Sequence, residues 1–515
     1  MSNGSISRRA FTSTLLSAPL LLKAQPSSRE ARVKIDTERV IGEIDPKIYG
    51  NFTEHLGRCI EGGIFEENSP LSDANGFRKD VLKAVEDLHV SLLRWPGGNF
   101  SSNYNWRDGI GPRDQRPARL EMAWGTVEDN RFGTHEFLQY CETIRTEPYL
   151  CANFGTGSWD EAQQWVEYCN YPDGTATSKL RQKNGREQPW KVKYWGLGNE
   201  MDGPWQMGHR TAEDYGKFAL EGAKLMRWTD PTIKLVAAGS SNYAADWIGW
   251  NRTVLEYLKH HAGYLSLHMY VGNPQNNFEE FLASSLELDQ RTKIAEGIIR
   301  GAMSDVSNRQ MYIAWDEWNV WYRARGSNER GRRILEEHYN LEDALVVATF
   351  LNTFVNNANI VKIANMAQLV NVIAPIFTSE NGLYLQTIYY PLQLFATNSF
   401  GNALELFVDA PTYSTKHSPK TPYLDVSAAY DRGTLVLNAV NRSRTDNLPV
   451  TFELEDKQFS GEFEVAEVNG PDIKSENNFN SSLVKTTRKT VQASGSRLRY
   501  QLPPHSYTML KGKLA

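Results

Sequence analysis

Eight short apolar runs, each followed by a stretch of helical periodicity, divide residues 46–400 into repeating β/α units. The candidate strands are 48–52, 91–95, 148–154, 192–199, 233–238, 264–268, 311–315 and 361–368. The candidate helices are about 76–89, 134–146, 158–170, 211–228, 245–260, 277–304, 341–357 and 387–398. Strands of a parallel sheet are covered on both faces, so they read as mostly apolar runs, as 192–197 does. Eight units of this kind predict an α/β fold, a (β/α)8 TIM barrel spanning 46–400. A doubly wound open sheet is the rival, but no Gly-x-Gly-x-x-Gly opens the first helix.

Past residue 400 helical periodicity ends. Short alternating runs at 404–408, 424–429, 434–440, 450–454, 462–468, 498–502 and 507–511 predict an all-β sandwich, jelly-roll-like, over 401–515. The polar, Asn- and Ser-rich segment 469–487 reads as a long surface loop. Residues 31–45 alternate loosely and read as strands that join this C-terminal sandwich.

Residues 1–25 have the character of an export signal. Ser7-Arg8-Arg9-Ala10-Phe11 resembles a twin-arginine motif, and the apolar stretch 15–22 after it is too short to span a membrane. This predicts a periplasmic or extracellular protein, or a cytoplasmic one if the signal is not used. No other segment approaches a membrane span. Cys59, Cys141, Cys151 and Cys169 match no zinc spacing and read as buried thiols. A formal net charge of −5 gives no basic surface for nucleic acid.

The chemistry-bearing residues fall where the candidate strands stop. Glu54 and His55 follow the first, Arg94 and Asn99 the second, and Asn199-Glu200 the fourth. His268 and Tyr270 follow the sixth, Asp316-Glu317 the seventh and Gln368 the eighth. Side chains at one end of a ring of strands converge on one pocket. Glu200 and Glu317 stand among aromatics, which points to hydrolysis of a sugar bond by paired carboxylates. Asn199 is placed to grip a sugar 2-hydroxyl beside the acid. Each residue also has a plainer reading. Either glutamate alone could cap a helix, Arg94 could be a structural ion-pair partner, and His268 could be a satisfied core histidine. Tyr270 could simply pack, and Asp316 could be a loop carboxylate. There is no Gly-x-Ser-x-Gly, no P-loop and no His-Glu-x-x-His, so neither a metal nor an organic cofactor is expected.

Several ordered segments carry a resemblance. They are Phe52-Thr53-Glu54-His55-Leu56-Gly57-Arg58, Arg94-Trp95-Pro96-Gly97-Gly98-Asn99-Phe100, Tyr104-Asn105-Trp106-Arg107-Asp108-Gly109-Ile110-Gly111-Pro112, Trp195-Gly196-Leu197-Gly198-Asn199-Glu200 and Asp316-Glu317-Trp318-Asn319-Val320-Trp321. From about residue 46 to its C-terminus the chain resembles glycoside hydrolase family 51, mostly α-L-arabinofuranosidases. The resemblance implies Glu200 as general acid/base and Glu317 as nucleophile. It implies that Glu54, Arg94, Asn99, Asn199, Tyr270 and Gln368 hold the arabinofuranosyl ring or the nucleophile, with Trp124 and Trp321 flanking the site. It further implies a barrel with a β-sandwich, often assembled as hexamers, acting on arabinose-containing oligosaccharides or polysaccharides. Many relatives act inside the cell, whereas this chain begins with an export-like segment.

The expected reaction is double displacement with retention, releasing terminal non-reducing α-L-arabinofuranosyl residues. The alternatives are a β-xylosidase or an endo-β-glucanase on the same machinery, or a carbohydrate-binding protein without catalysis. A closed pocket fits attack on a terminal sugar, and an open cleft fits internal attack.

Overall fold

The computed structural model describes residues 30–325, 331 and 333–515. The export-like segment 1–25 lies outside them. Eight parallel strands close into a barrel: β1 (Gly50–Phe52), β2 (Leu92–Trp95), β3 (Glu147–Cys151), β4 (Tyr194–Leu197), β5 (Lys234–Ala237), β6 (Ala262–Val271), β7 (Tyr312–Val320) and β8 (Val361–Ala367). The barrel and the C-terminal all-β domain are the fold class read from the sequence.

A layer inside the barrel takes one side chain from each of seven strands: Leu92, Tyr149, Tyr194, Val236, Tyr264, Ala314 and Ile363. The interior is therefore a packed core rather than a pore. Between strands and helices a larger apolar core buries Trp95, Trp165, Trp195, Trp315 and Trp318. Burial of each large apolar side chain contributes roughly 1.5–3 kcal/mol.

The nine-stranded C-terminal sheet includes the early strand Ala31–Glu43, which lies between Asn402–Asp409 and Leu448–Leu454. Its two outermost strands, Lys485–Gly495 and Arg497–Leu502, are consecutive in the chain. One apolar core draws on all nine strands, so the sheet folds over on itself. The helix Leu341–Asn356 is buried on nearly every face because it lies between barrel and sheet. Its one polar stripe is satisfied across that boundary. Asn352 donates to Asp425 at 2.6 Å and accepts from Ser427, and Asn356 donates to the Val426 carbonyl.

Three expectations need correction. β7 does not stop at residue 315 but continues through Glu317 to Val320, and β6 likewise runs past His268 to Val271. Segment 469–487 is not simply a surface loop. Ile473, Asn477 and Val484 are buried, Ile473 and Asn477 bond to the barrel, and the strand Lys485–Gly495 begins within the segment. That strand is polar along most of its length because it is an edge, where charged side chains discourage pairing with other chains. The helix Ala176–Lys183 was also not expected. Among the described residues no helix is long and apolar enough to cross a membrane.

Candidate active site

At the C-terminal ends of the barrel strands a cavity of about 530 Å³ collects the residues singled out above. Glu54, Asn99, Trp124, Glu200, Tyr270, Glu317, Trp321 and Gln368 line it directly. Arg94 and Asn199 stand just behind, each 1% exposed.

β4 ends in a sharp turn, with Gly198 at φ +89° and Glu200 itself at φ +45°. A non-glycine residue in that region is held there by its surroundings, here at the point where its carboxylate enters the cavity. Glu200 accepts hydrogen bonds from His268 Nδ1 at 2.9 Å and from the Trp205 indole.

Glu317 reaches the cavity by way of an irregularity in β7. Between Ala314 and Glu317 the strand advances three residues while β6 advances two, and the same offset appears against β8. This is a β-bulge, and its effect is to re-aim the side chains that follow it. Glu317 then accepts from Arg94 Nη1 at 2.7 Å and from the Tyr270 hydroxyl at 2.8 Å. Gly98 supplies the remaining wall. A Cβ there would stand 2.8 Å from Glu317 Oε1, so only glycine lets the chain after β2 lie this close to the carboxylate.

Arg94 ties the groups together. Its second terminal nitrogen donates to Asn199 Oδ1 at 2.7 Å, and its plane lies over the Phe52 ring at 4.7 Å. Asn199 is thereby fixed with its amide nitrogen beside Gln206. Glu54 is held by the Phe100 amide, the Trp124 indole and the Gln368 amide. Burial, and then the charge of Glu317, raises the Glu54 carboxyl to about 7.

Asp316 and His268 lie beneath the two glutamates. Asp316 accepts from the Tyr149 hydroxyl at 2.7 Å and from Ser266. Burial would raise its pKa, but Arg94 and His268 outweigh it and hold Asp316 at about 2. Burial likewise opposes a charge on His268. The carboxylates of Glu317, Asp316 and Glu200 overcome that, so its pKa lies well above the usual histidine range. His268 is thus a site residue rather than a core histidine, and Asp316 is its buried counter-charge. Burial and the charges of Glu317 and Glu200 also push the Tyr270 hydroxyl well up, so it remains a donor.

One ligand-type atom each from Glu200, His268 and Glu317 lies within 4.8 Å of the others, a spacing that could also hold a cation. His268 already occupies this space with hydrogen bonds, to Glu200 through one ring nitrogen and to Ser266 through the other.

Several lining residues were not singled out from sequence. Ser241 and Tyr243 follow β5, and the strand-end rule extends to them directly. Trp205 lies five residues past Glu200 and half exposed. Arg291 projects from the helix Ser284–Ala302, where no strand-end signal exists. Arg325 lies on the segment after β7, over the Trp321 ring at 4.7 Å.

Comparison with known proteins accords with this geometry. Residues 84–290 match the family model described as an alpha-L-arabinofuranosidase 1 domain, and residues 316–506 the alpha-L-arabinofuranosidase C-terminal domain. The chain is 41% identical over 500 residues to a Bacillus subtilis protein named intracellular exo-alpha-(1->5)-L-arabinofuranosidase 1, covering 94% of this chain and 99% of the relative. It is 42% identical over 446 residues to a Halalkalibacterium halodurans protein named intracellular exo-alpha-(1->5)-L-arabinofuranosidase, covering 84% and 88%. A solved GH51 alpha-L-arabinofuranosidase from Thermotoga petrophila superimposes with a TM-score of 0.86 at 38% identity, over 94% of this chain and all of that one.

Proposed function

The chain belongs to glycoside hydrolase family 51, the α-L-arabinofuranosidases, and from that premise we propose how its residues divide the work of retaining hydrolysis. It is a glycosidase that releases terminal α-L-arabinofuranosyl residues. Catalysis belongs to the barrel, residues 46–400, and the all-β domain 401–515 supports it. Glu317 attacks the anomeric carbon while Glu200 protonates the departing oxygen. Glu200 then activates the water that cleaves the covalent intermediate.

One observation carries this reading. Oxygens of Glu200 and Glu317 lie within 4.8 Å of each other. Retaining sites hold their carboxyls about 5–5.5 Å apart, whereas inverting sites need roughly 6.5–9.5 Å to admit a water. Arg94 and Tyr270 orient Glu317 for attack. In this reading Asn199, buried next to Glu200, grips the 2-hydroxyl, and Glu54, Asn99 and Gln368, which line the cavity with Trp124 and Trp321, hold the rest of the ring.

Loops following six of the eight barrel strands contribute to the cavity wall, and β6 adds His268, Met269 and Tyr270 from the strand itself. The two relatives named exo-alpha-(1->5)-L-arabinofuranosidases favour attack on a terminal sugar over an endo-glucanase. We infer assembly as a homo-oligomer, hexameric by family resemblance, which light scattering of the purified protein would test. The two relatives named intracellular fit the cytoplasmic alternative and give the export expected from Ser7–Phe11 no support.

The test is a comparison of aryl α-L-arabinofuranosides with aryl β-D-xylopyranosides, with the first-formed anomer followed by NMR. Preference for the furanoside with a product of retained configuration is expected. An inverted product would overturn the division of roles.

A further inference from the structure

The ring-binding residues leave two arginines of this cavity unassigned. Arg325 lies over the Trp321 ring at 4.7 Å and makes no hydrogen bond or ion pair with a described residue. Arg291 lies over the Tyr243 ring at 3.6 Å and bonds Glu287 of its own helix. A neutral pentose gives no use for either charge. General basicity does not explain them either, because the chain carries a formal net charge of −5. Both arginines line the same cavity as Glu200 and Glu317, Arg325 on the segment after β7 and Arg291 against Tyr243 of the loop after β5. The other charged groups lining this space are Glu54, Glu200, His268 and Glu317; behind them Glu287 pairs with Arg291, and Asp202 is tied down by Ser241 and Asn242.

A guanidinium stacked on an aromatic ring presents a flat apolar face and a fork of donors suited to a carboxylate. A cavity of about 530 Å³ has room for leaving-group sugars beyond one five-carbon ring. Resting on the hydrolase reading above, we propose that Arg325 on Trp321 and Arg291 on Tyr243 form a leaving-group subsite for carboxylate-bearing sugars, so that the favoured substrates are arabinofuranosides attached to uronate-containing oligosaccharides.

The matched probes are 4-carboxyphenyl and 4-carbamoylphenyl α-L-arabinofuranoside, which differ chiefly in charge. At low ionic strength the purified enzyme should favour the carboxylate in kcat/KM by about tenfold, the worth of one charge-assisted contact. The ratio should shrink several-fold in about 0.5 M salt. Arg325→Gln and Arg291→Gln should each lower it, whereas a purely structural role would depress both substrates alike. A ratio at or below one, or one that neither substitution moves, overturns the subsite. No hydrolysis of either compound would overturn the hydrolase reading itself, and this inference with it.

Discussion

Asp316 and Glu317 are consecutive residues of one barrel strand, yet both carboxylates enter the barrel interior. Alternation along a regular strand would send them to opposite faces. The bulge at 315–316 removes that constraint and places Asp316 against Tyr149 and Ser266 and Glu317 against Tyr270. Arg94 spans the pair, with Nη1 2.7 Å from Glu317 and Nε 3.7 Å from Asp316. One buried guanidinium thus shares its charge between the carboxylate that would react and the one that would support it.

Asp316→Asn should therefore destabilise the fold. Breaking one partner out of a buried charge cluster costs about 3–5 kcal/mol. The carboxyl is lowered to about 2 from an ordinary 3.8. Its contribution is present above pH 3.8 and is lost as the pH falls through 2. Urea denaturation at pH 7 should show the full loss, and the gap between variant and wild type should narrow as the pH falls below 4. An unchanged midpoint at pH 7 would contradict the structural role.

Glu54 carries the opposite sign. Its carboxyl is raised to about 7 from an ordinary 4.5, so ionising it works against the folded state. Stability from the neutral form is complete below pH 4.5 and is lost as the pH rises through 7, on the order of 3 kcal/mol in all. Glu54→Gln keeps the shape and cannot ionise. Melting curves from pH 5 to 8 should show the variant gaining on wild type with rising pH. A constant difference would place the shift elsewhere, with Asp343, also raised to about 7, as the first candidate.

His268 hydrogen-bonds Glu200 at 2.9 Å, so its expected effect on the reaction runs through that carboxylate. Replacing His268 by Asn should reduce kcat by about 10²-fold where the leaving group needs a proton. Aryl substrates with very good leaving groups should lose far less in the first step. Kinetics on a dinitrophenyl furanoside and on an arabino-oligosaccharide separate the cases. Equal losses on both would indicate a general structural role.

The barrel was legible because parallel strands covered on both faces are mostly apolar, and 192–197 and 361–367 keep that character despite Lys193, Lys362 and Asn365. The site was legible because polar side chains at strand ends, among them Glu54, Arg94, Asn199 and Gln368, have no use in a core. What stayed hidden depends on register or on three-dimensional proximity. The bulge before Glu317 is a count of residues against β6 and β8, which no single segment contains. Arg291 faces the cavity from a helix, where nothing local distinguishes it from Lys293 or Arg300. His268 reads the same in sequence whether it packs or hydrogen-bonds Glu200. The strand Lys485–Gly495 was missed because an edge strand gives up the apolar alternation by which strands are recognised.

The two glutamates should be separable by substrate and by rescue. Glu317 is gripped by Arg94 and Tyr270, which hold its oxygens fixed and aimed into the cavity, as an attacking group requires. Glu200 is bonded to His268 and Trp205 rather than to Arg94 and Tyr270, the donor set that suits an acid/base more than an attacking group. Without the nucleophile no covalent intermediate forms, so Glu317→Ala should be nearly inactive on every substrate. Without the acid, only substrates whose leaving group needs a proton fail at the first step. Glu200→Ala should therefore still be glycosylated by a dinitrophenyl furanoside and then stall, because no base activates water. Azide needs no base, so it should restore turnover and yield an arabinofuranosyl azide with the configuration of the substrate, the result of two inversions. If azide instead restores Glu317→Ala and gives the inverted azide, the two roles are exchanged. If neither variant loses activity, the paired-carboxylate mechanism does not operate in this cavity.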